Sequence, residues 1–155
     1  MAGAGLEIAD IRLPLYNQDE DGATPDVAVQ TLRRTIADAD GLIIVTPEYN
    51  HGVPGLLKNA LDWASRPGNK SVLQNKPVLV ISNSPGFTGG VRAQAQLNET
   101  LLAVSAVILP GRQIVISNVA EKIKDGVFAD KANIAFAMES VHRLIGLCRR
   151  ASVAD

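Results

Sequence analysis

The fold is decided first by residues 42–45, which read Leu-Ile-Ile-Val and contain no polar side chain. Two further runs have the same character: Val-Leu-Val-Ile at residues 78–81 and Ile-Val-Ile at residues 114–116. Short β-branched runs without alternation are typical of strands buried on both faces, as in a parallel sheet covered by helices. We therefore predict three such strands. A weaker alternation at residues 6–11 predicts a more exposed edge strand.

Helical periodicity fills the intervals between these runs. In the first interval Thr24 is the predicted N-cap, Pro25 the first helical residue, and Gly41 lies just past the end. Further helices are predicted after Pro54, from about residue 90 to 106, and from about residue 130 onward. The apolar face of the last helix is predicted to contain Ile134, Met138, Val141, Ile145 and Cys148. Alternating strands and helices predict a doubly wound α/β sheet in three layers, with residues 1–155 as one domain.

Composition limits the possible functions. The chain has 155 residues, of which 46% are hydrophobic and 20% charged, and its net charge is −1. A nearly neutral chain lacks the cationic field that nucleic acid or an anionic membrane requires. No apolar run approaches the roughly 20 residues of a membrane span, and the first residues do not resemble a signal peptide. We expect a cytoplasmic protein without nucleic-acid or membrane partners, and we predict no metal site.

Two loops of unusual composition follow predicted strands. Residues 46–55 read Thr-Pro-Glu-Tyr-Asn-His-Gly-Val-Pro-Gly, and residues 83–90 read Asn-Ser-Pro-Gly-Phe-Thr-Gly-Gly. In open parallel sheets, ligands bind beyond the carboxyl ends of the strands. Prolines stiffen the first loop and glycines allow close backbone approach, so it suits the edge of a planar ligand. The alternatives are a rigid connecting turn for the first loop and a flexible turn for the second.

Together these loops resemble one enzyme family. Residues 46–63 are similar to the signature of NADPH-dependent FMN reductases, a flavodoxin-like family that includes chromate and quinone reductases. Residues 84–92, with Ser84, Pro85, Gly86, Gly89, Gly90 and Arg92, resemble its second signature. Residues 13–19 resemble the loop after the second strand of the family.

The resemblance implies an FMN-dependent enzyme that transfers reducing equivalents from NAD(P)H to a quinone, a metal oxyanion or a similar small-molecule acceptor. It also implies a homodimer or homotetramer, with Arg92 at the site entrance or a subunit contact. FMN carries the hydride chemistry, so no side chain is predicted to be catalytic. The residues implied in FMN binding, mostly through backbone groups, are Pro47, Glu48, Tyr49, Asn50, Ser84 and Gly86.

One family element is missing from this sequence. Members begin with a strand and a Gly-Ser-x-Arg-x-x-Ser-x-Asn loop that holds the FMN phosphate, and no such loop occurs here. With strand order 2-1-3-4-5, the missing strand is a central one, so the flavodoxin-like sheet is expected to be N-terminally truncated. We expect the chain to be a fragment; residues 6–11 pairing beside residues 42–45, or a partner subunit filling the gap, are the alternatives. Such a chain should bind FMN weakly or not at all.

Two other functions compete with the reductase interpretation. A non-catalytic binding module would explain the missing phosphate loop. A one-electron carrier is less favoured because such carriers are markedly acidic. Cys148 is predicted to be structural, and the acidic run at residues 19–21 is predicted to be a solvated loop rather than a metal site.

Overall fold

The computed structural model describes residues 4–22 and 25–151. The helices are α1 (Val27–Asp38), α2 (Gly55–Ala64), α3 (Val91–Ala103) and α4 (Lys131–Ala151). The strands are β1 (Leu42–Pro47), β2 (Pro77–Asn83), β3 (Val107–Ile108), β4 (Ile114–Ile116), β5 (Ile123–Lys124) and β6 (Val127–Phe128). The three predicted strands are confirmed as β1, β2 and β4.

The sheet is parallel and centred on β2. β1 lies on one side of β2, and both β3 and β4 lie on the other. Residues 42–47 of β1 pair in register with residues 78–83 of β2. β3 pairs with the first two residues of β2, and β4 pairs with its last three. The carboxyl ends of β1, β2 and β4 therefore meet at one edge of the sheet.

Alternate residues of β2 face two separate cores. Val78 and Val80 pack with apolar side chains of α1, α2 and α3. Leu79 and Ile81 face the opposite way and pack with β4 and with Leu144 of α4. Each of these buried side chains contributes about 1.5–3 kcal/mol of transfer free energy. Helices thus cover both faces of the sheet, which confirms the three-layer α/β/α architecture.

β1 is not buried on both faces, contrary to the prediction. Thr46 on the α1–α3 side is buried, whereas Ile43 and Val45 on the opposite side are 37% and 59% exposed. On that opposite face α4 packs against β2 and β4. Within the described residues β1 has only β2 as a neighbour, so its outer edge carries no strand. A β-branched run predicts that a strand forms, but it does not predict what covers that strand.

Residues 6–11 form no strand, contrary to the prediction. Leu6 and Ile8 are 80% and 91% exposed, while Ala9 and Ile11 pack against the core that α1, α2 and α3 share. Within the described residues this segment forms no ladder with β1. The rearrangement that would pair it directly with residues 42–45 is therefore wrong.

Residues 14–16 are held against α2. The side chain of Asn59 accepts a hydrogen bond from the Tyr16 amide (2.7 Å) and donates one to the Pro14 carbonyl (2.9 Å). The indole N–H of Trp63 donates to the same carbonyl (2.8 Å). Trp63 is 2% exposed, so its side chain packs in the interior.

The first helix begins later than predicted. Asp26, not Thr24, caps α1: its carboxylate accepts the amide hydrogen of Ala28 at 2.7 Å. Pro25 therefore precedes the helix, and Thr24 lies outside the described residues. Aspartate is as effective an N-cap as serine or threonine, so the position could not be chosen from residue type alone.

The apolar face of α4 is predicted only in part. Val141 and Cys148 pack against the sheet as expected, but Ile134 is 39% exposed. Phe136 and Leu144 take part in the core instead.

No helix within residues 4–22 and 25–151 has the length and apolar character that a bilayer crossing requires. The same residues bring together no His, Cys, Asp and Glu cluster suited to a metal ion.

Candidate functional site

Two loops lie side by side at the carboxyl edge of the sheet. Loop 1 (residues 48–54) connects β1 to α2, and loop 2 (residues 84–90) connects β2 to α3. The Glu48 amide donates to the Asn83 carbonyl (3.2 Å), and the Asn83 side chain donates to the Thr46 carbonyl (3.2 Å). These bonds continue the β1–β2 ladder beyond the strands, so the two loops start at a fixed separation.

Loop 1 contains a tight turn. Tyr49 and Gly52 exchange two backbone hydrogen bonds of 3.1 and 2.9 Å. Asn50 and His51 between them have φ values of 49° and 65°, as both central residues of a type I′ turn do. Left-handed backbone is uncommon outside glycine, and its strain persists only where the surroundings hold it. The predicted stiffness of this loop therefore has a structural basis.

The carboxylate of Glu48 caps α3. One carboxylate oxygen accepts the amide hydrogens of Arg92 (3.0 Å) and Ala93 (3.2 Å). The other lies 3.8 Å from the Arg92 guanidinium, and the Glu48 side chain is only 6% exposed. Gly90, at the N-cap position of α3, has no side chain to satisfy these donors. A residue of loop 1 therefore supplies the cap that the helix lacks.

A second side chain joins α3 to the end of loop 1. The side-chain carbonyl of Gln96 accepts the amide hydrogen of Val53 at 2.8 Å. The same oxygen would lie 3.0 Å from a Cβ atom placed on Gly52. Glycine at position 52 therefore lets the loop approach the helix closely.

Loop 2 is joined to the sheet by hydrogen bonds at both of its ends. The Ser84 amide donates to the Ile116 carbonyl (3.1 Å), and the Ser82 hydroxyl donates to the Gly89 carbonyl (3.1 Å). Gly89 has a φ of +62°, and a Cβ atom there would lie 2.4 Å from the nearest methyl carbon of Val115. Only glycine fits this position without movement of the neighbouring strand.

The six residues predicted to bind FMN lie at this edge of the sheet, at the end of β1 and in the two loops. They are Pro47, Glu48, Tyr49, Asn50, Ser84 and Gly86. The side chains of Tyr49 and Phe87 are 64% and 85% exposed. Among the described residues, no acceptor is found for the backbone amides of Asn50 and His51. The edge therefore offers accessible aromatic faces and backbone donors.

Sequence reasoning missed two residues of this site. Gln96 reads as a surface residue in the middle of a helix, and its contact with Val53 spans 43 residues. Phe87 lies inside a glycine-rich segment and was not predicted as a site residue. An apolar side chain in such a loop is the signal that could have identified it, because large aromatic groups are costly to leave exposed.

The acidic run at residues 19–21 is not wholly solvated, contrary to the prediction. The carboxylate of Asp21 is 8% exposed and pairs with Arg33 (2.9 Å) and with Arg66 (3.4 Å). These ion pairs hold the loop against α1 and against the end of α2.

Cys148 lies on α4, where it packs in the second core. Burial raises the pKa of its thiol. A raised pKa lowers the thiolate fraction at neutral pH, and the thiolate is the nucleophile. The packing supports a structural role for this residue.

In three of the four α-helices in the described part of the chain, a carboxylate accepts hydrogen bonds from the N-terminal amides. Asp26 caps α1, Glu48 caps α3, and the side chain of Asp130 accepts the Asn133 amide at the start of α4 (2.9 Å). Phosphate binds well at helix N-termini whose amides are open. Carboxylates at these three ends occupy the amides and repel an anion, so the N-termini of α1, α3 and α4 are unsuited to the FMN phosphate, whereas α2 begins after Pro54 without a side-chain cap.

Two cavities lie away from these loops. One of about 440 Å³ lies between α4 and residues 109–110, and one of about 280 Å³ lies beside residues 108–113. Neither is lined by loop 1 or loop 2.

Comparison with known proteins identifies one family. The family described as NADPH-dependent FMN reductase matches residues 3–121. A 2-hydroxy-1,4-benzoquinone reductase from Burkholderia sp is 46% identical over 111 residues, which are 72% of this chain and 60% of that protein. A quinone reductase from Pseudomonas putida is 38% identical over 127 residues, which are 81% of this chain and 67% of that protein.

The fold is also similar to a solved flavoenzyme. FerB, an NAD(P)H:(acceptor) oxidoreductase from Paracoccus denitrificans, superposes with a TM-score of 0.81 and 34% identity, over 93% of this chain and 80% of that chain. The chain spans 60%, 62% and 63% of the length of three curated relatives. The superposition on FerB confirms the flavodoxin-like fold. Because the family model matches residues 3–121, the chain belongs to the NADPH-dependent FMN reductase family.

Proposed function

We propose that this chain is the flavin-edge part of an FMN-dependent oxidoreductase. It would pass reducing equivalents from NAD(P)H to a quinone, a metal oxyanion or a similar small-molecule acceptor. The observation that carries the proposal is the pair of rigid loops at the carboxyl ends of β1 and β2, within the span that matches the family. The names of the relatives favour this function over a non-catalytic binding module.

The proposed ring-binding groups are backbone atoms of Pro47, Glu48, Tyr49 and Asn50, together with Ser84 and Gly86 in loop 2. The open amides at the tip of loop 1 can donate hydrogen bonds to ring carbonyls or nitrogens. The exposed Tyr49 side chain can cover part of a flat ring. When bound, FMN supplies the hydride chemistry, and the chain supplies orientation and exclusion of water.

Tight binding of FMN would require a phosphate site, which the N-termini of α1, α3 and α4 do not offer. α1, α3 and α4 begin on carboxylates, as shown above. We therefore expect residues 1–155 to bind FMN weakly. Binding at high FMN concentration is the relevant measurement.

A homo-oligomer is part of the proposal. Four large apolar side chains around the loops are exposed: Tyr49, Leu56, Phe87 and Val91. Large apolar side chains exposed near one another in the chain suit an interface if they form one patch. A second copy of this chain would cover it as a homodimer or homotetramer, and analytical ultracentrifugation tests this directly. A cytoplasmic location is also proposed, because NAD(P)H is the proposed reductant.

The function is tested by adding the chain to NADPH or NADH, excess FMN and a benzoquinone. We expect the chain to consume NAD(P)H faster than FMN alone does. Tyr49→Ala should raise the FMN dissociation constant, whereas Ile8→Ala, at a 91% exposed position outside the two loops, should leave it unchanged. A rate equal to that of FMN without protein, at all FMN concentrations, would contradict the proposal.

A further inference from the structure

We infer that the side chains of Glu48 and Gln96 are positioning residues, which fix loop 1 to α3 and so hold the spacing between the two loops before any ligand binds. Their effect on FMN binding rests on the function proposed above. Their effect on the loop does not, because both contacts exist within the chain itself.

The Glu48 contact is costly to break. A carboxylate that is 6% exposed is stable only where donors replace its lost water. Here two amide hydrogens at the positive end of α3 and the nearby Arg92 guanidinium replace it. Because Glu48 directly follows β1, this contact anchors the start of loop 1 to the helix.

The Gln96 contact anchors the other end. Its acceptor holds the Val53 amide, directly after the turn that Tyr49 and Gly52 close. Glu48 and Gln96 therefore flank a turn whose central residues have left-handed backbone. Hydrogen bonds on both sides of a strained turn restrict its movement far more than a bond on one side alone.

The same helix also fixes loop 2. α3 begins at Val91, directly after loop 2, so any movement of loop 1 on α3 changes the separation of the loops. A site held at its working separation avoids the ordering cost that a mobile loop pays on binding. Both side chains would therefore act on ligand affinity without touching the ligand.

The test uses the FMN-free chain first. Hydrogen exchange of individual amides is measured by NMR in Glu48→Ala, Glu48→Gln, Gln96→Ala and Gln96→Glu. A purely local role would change only the amides that lose their acceptor. If the two side chains position the loop, Glu48→Ala and Gln96→Ala should also speed amide exchange at Tyr49 and Gly52, by about tenfold or more. The reason is that loss of either contact lets the turn open more often. The Gln and Glu variants keep an acceptor oxygen and should restore most of the protection.

The matched control is Asp130→Ala. It removes a side-chain acceptor from the start of α4, on the opposite face of the sheet. It should lower thermal stability as the loss of a helix cap does but leave exchange at Tyr49 and Gly52 unchanged. If the Glu48 and Gln96 variants leave these two amides as protected as in the parent chain, the inference is overturned.

FMN titration separates this inference from the proposed function. In a parent chain that binds FMN, the two alanine variants should raise the dissociation constant about tenfold, with recovery in Glu48→Gln. An unchanged dissociation constant would overturn the effect on binding. A parent chain that binds no FMN would contradict the proposed function, and the exchange data would still decide whether the two side chains position the loop.

Discussion

Gly89→Ala should destabilise the protein strongly, because loop 2 runs directly over β4. The new methyl group would lie 2.4 Å from a Val115 side-chain carbon, 2.9 Å from the Ser117 amide nitrogen and 3.0 Å from the Ile116 carbonyl carbon. Two of these three atoms belong to the backbone, so a side-chain rotation cannot relieve the contact. The φ of +62° adds a left-handed cost of about 1 kcal/mol for alanine.

Overpacking of this kind costs about 1–3 kcal/mol, so the expected total loss is about 2–4 kcal/mol of unfolding free energy. For a chain of this size the loss corresponds to roughly 4–16 °C in melting temperature. Urea denaturation followed by circular dichroism measures it. Gly55→Ala is the matched control, because a Cβ there meets nothing within 4 Å. A Gly89→Ala variant within 0.5 kcal/mol of the parent would refute the described path of loop 2.

Two further predictions concern β1 and Cys148. Val45→Thr on the exposed face of β1 should lower the free energy of unfolding by less than about 0.5 kcal/mol. Val80→Thr in the core of β2 should lower it by about 1–3 kcal/mol, because the new hydroxyl group is buried. Urea denaturation of both variants measures the difference. Equal costs would show that β1 is covered on both faces. Because burial raises the pKa of Cys148, its alkylation rate in the folded protein should rise with pH at a higher midpoint than in the urea-unfolded chain. A midpoint at or below that of the unfolded chain would contradict the burial of this thiol.

The sheet could be predicted from sequence because its central strands are nearly continuous apolar runs. β2 is buried along six of its seven residues, and its pattern leaves no other interpretation. The prediction failed for β1 because burial depends on neighbours that the strand itself does not encode. β3 was missed since two residues are too short to show a pattern.

The β5–β6 hairpin was missed although its sequence contains a clear signal. Asp125 and Gly126 separate the two strands and both have positive φ. Asp-Gly between short apolar runs is among the strongest hairpin signals. Here the flanking strands have only two residues each, so the apolar runs that mark a hairpin are too short to recognise.

The site could be predicted as two loops but not as a connected structure. The motif residues of loop 1 are consecutive, so sequence reasoning placed Glu48 beside a ligand with its neighbours. Its carboxylate also caps a helix that begins more than 40 residues later, at 3.0 Å from the Arg92 amide. Contacts of such separation follow from the tertiary fold, and one sequence without relatives contains no direct sign of them.

The outer edge of β1 has a practical consequence for handling the protein. Proteins commonly protect such edges with lysine, proline or a bulge, and β1 contains no lysine and has a proline only at its last residue, Pro47. At the concentrations that crystallisation needs, this strand is therefore the expected starting point of aggregation by intermolecular backbone pairing. A lysine in place of Val45 should delay the onset of light scattering in concentrated samples.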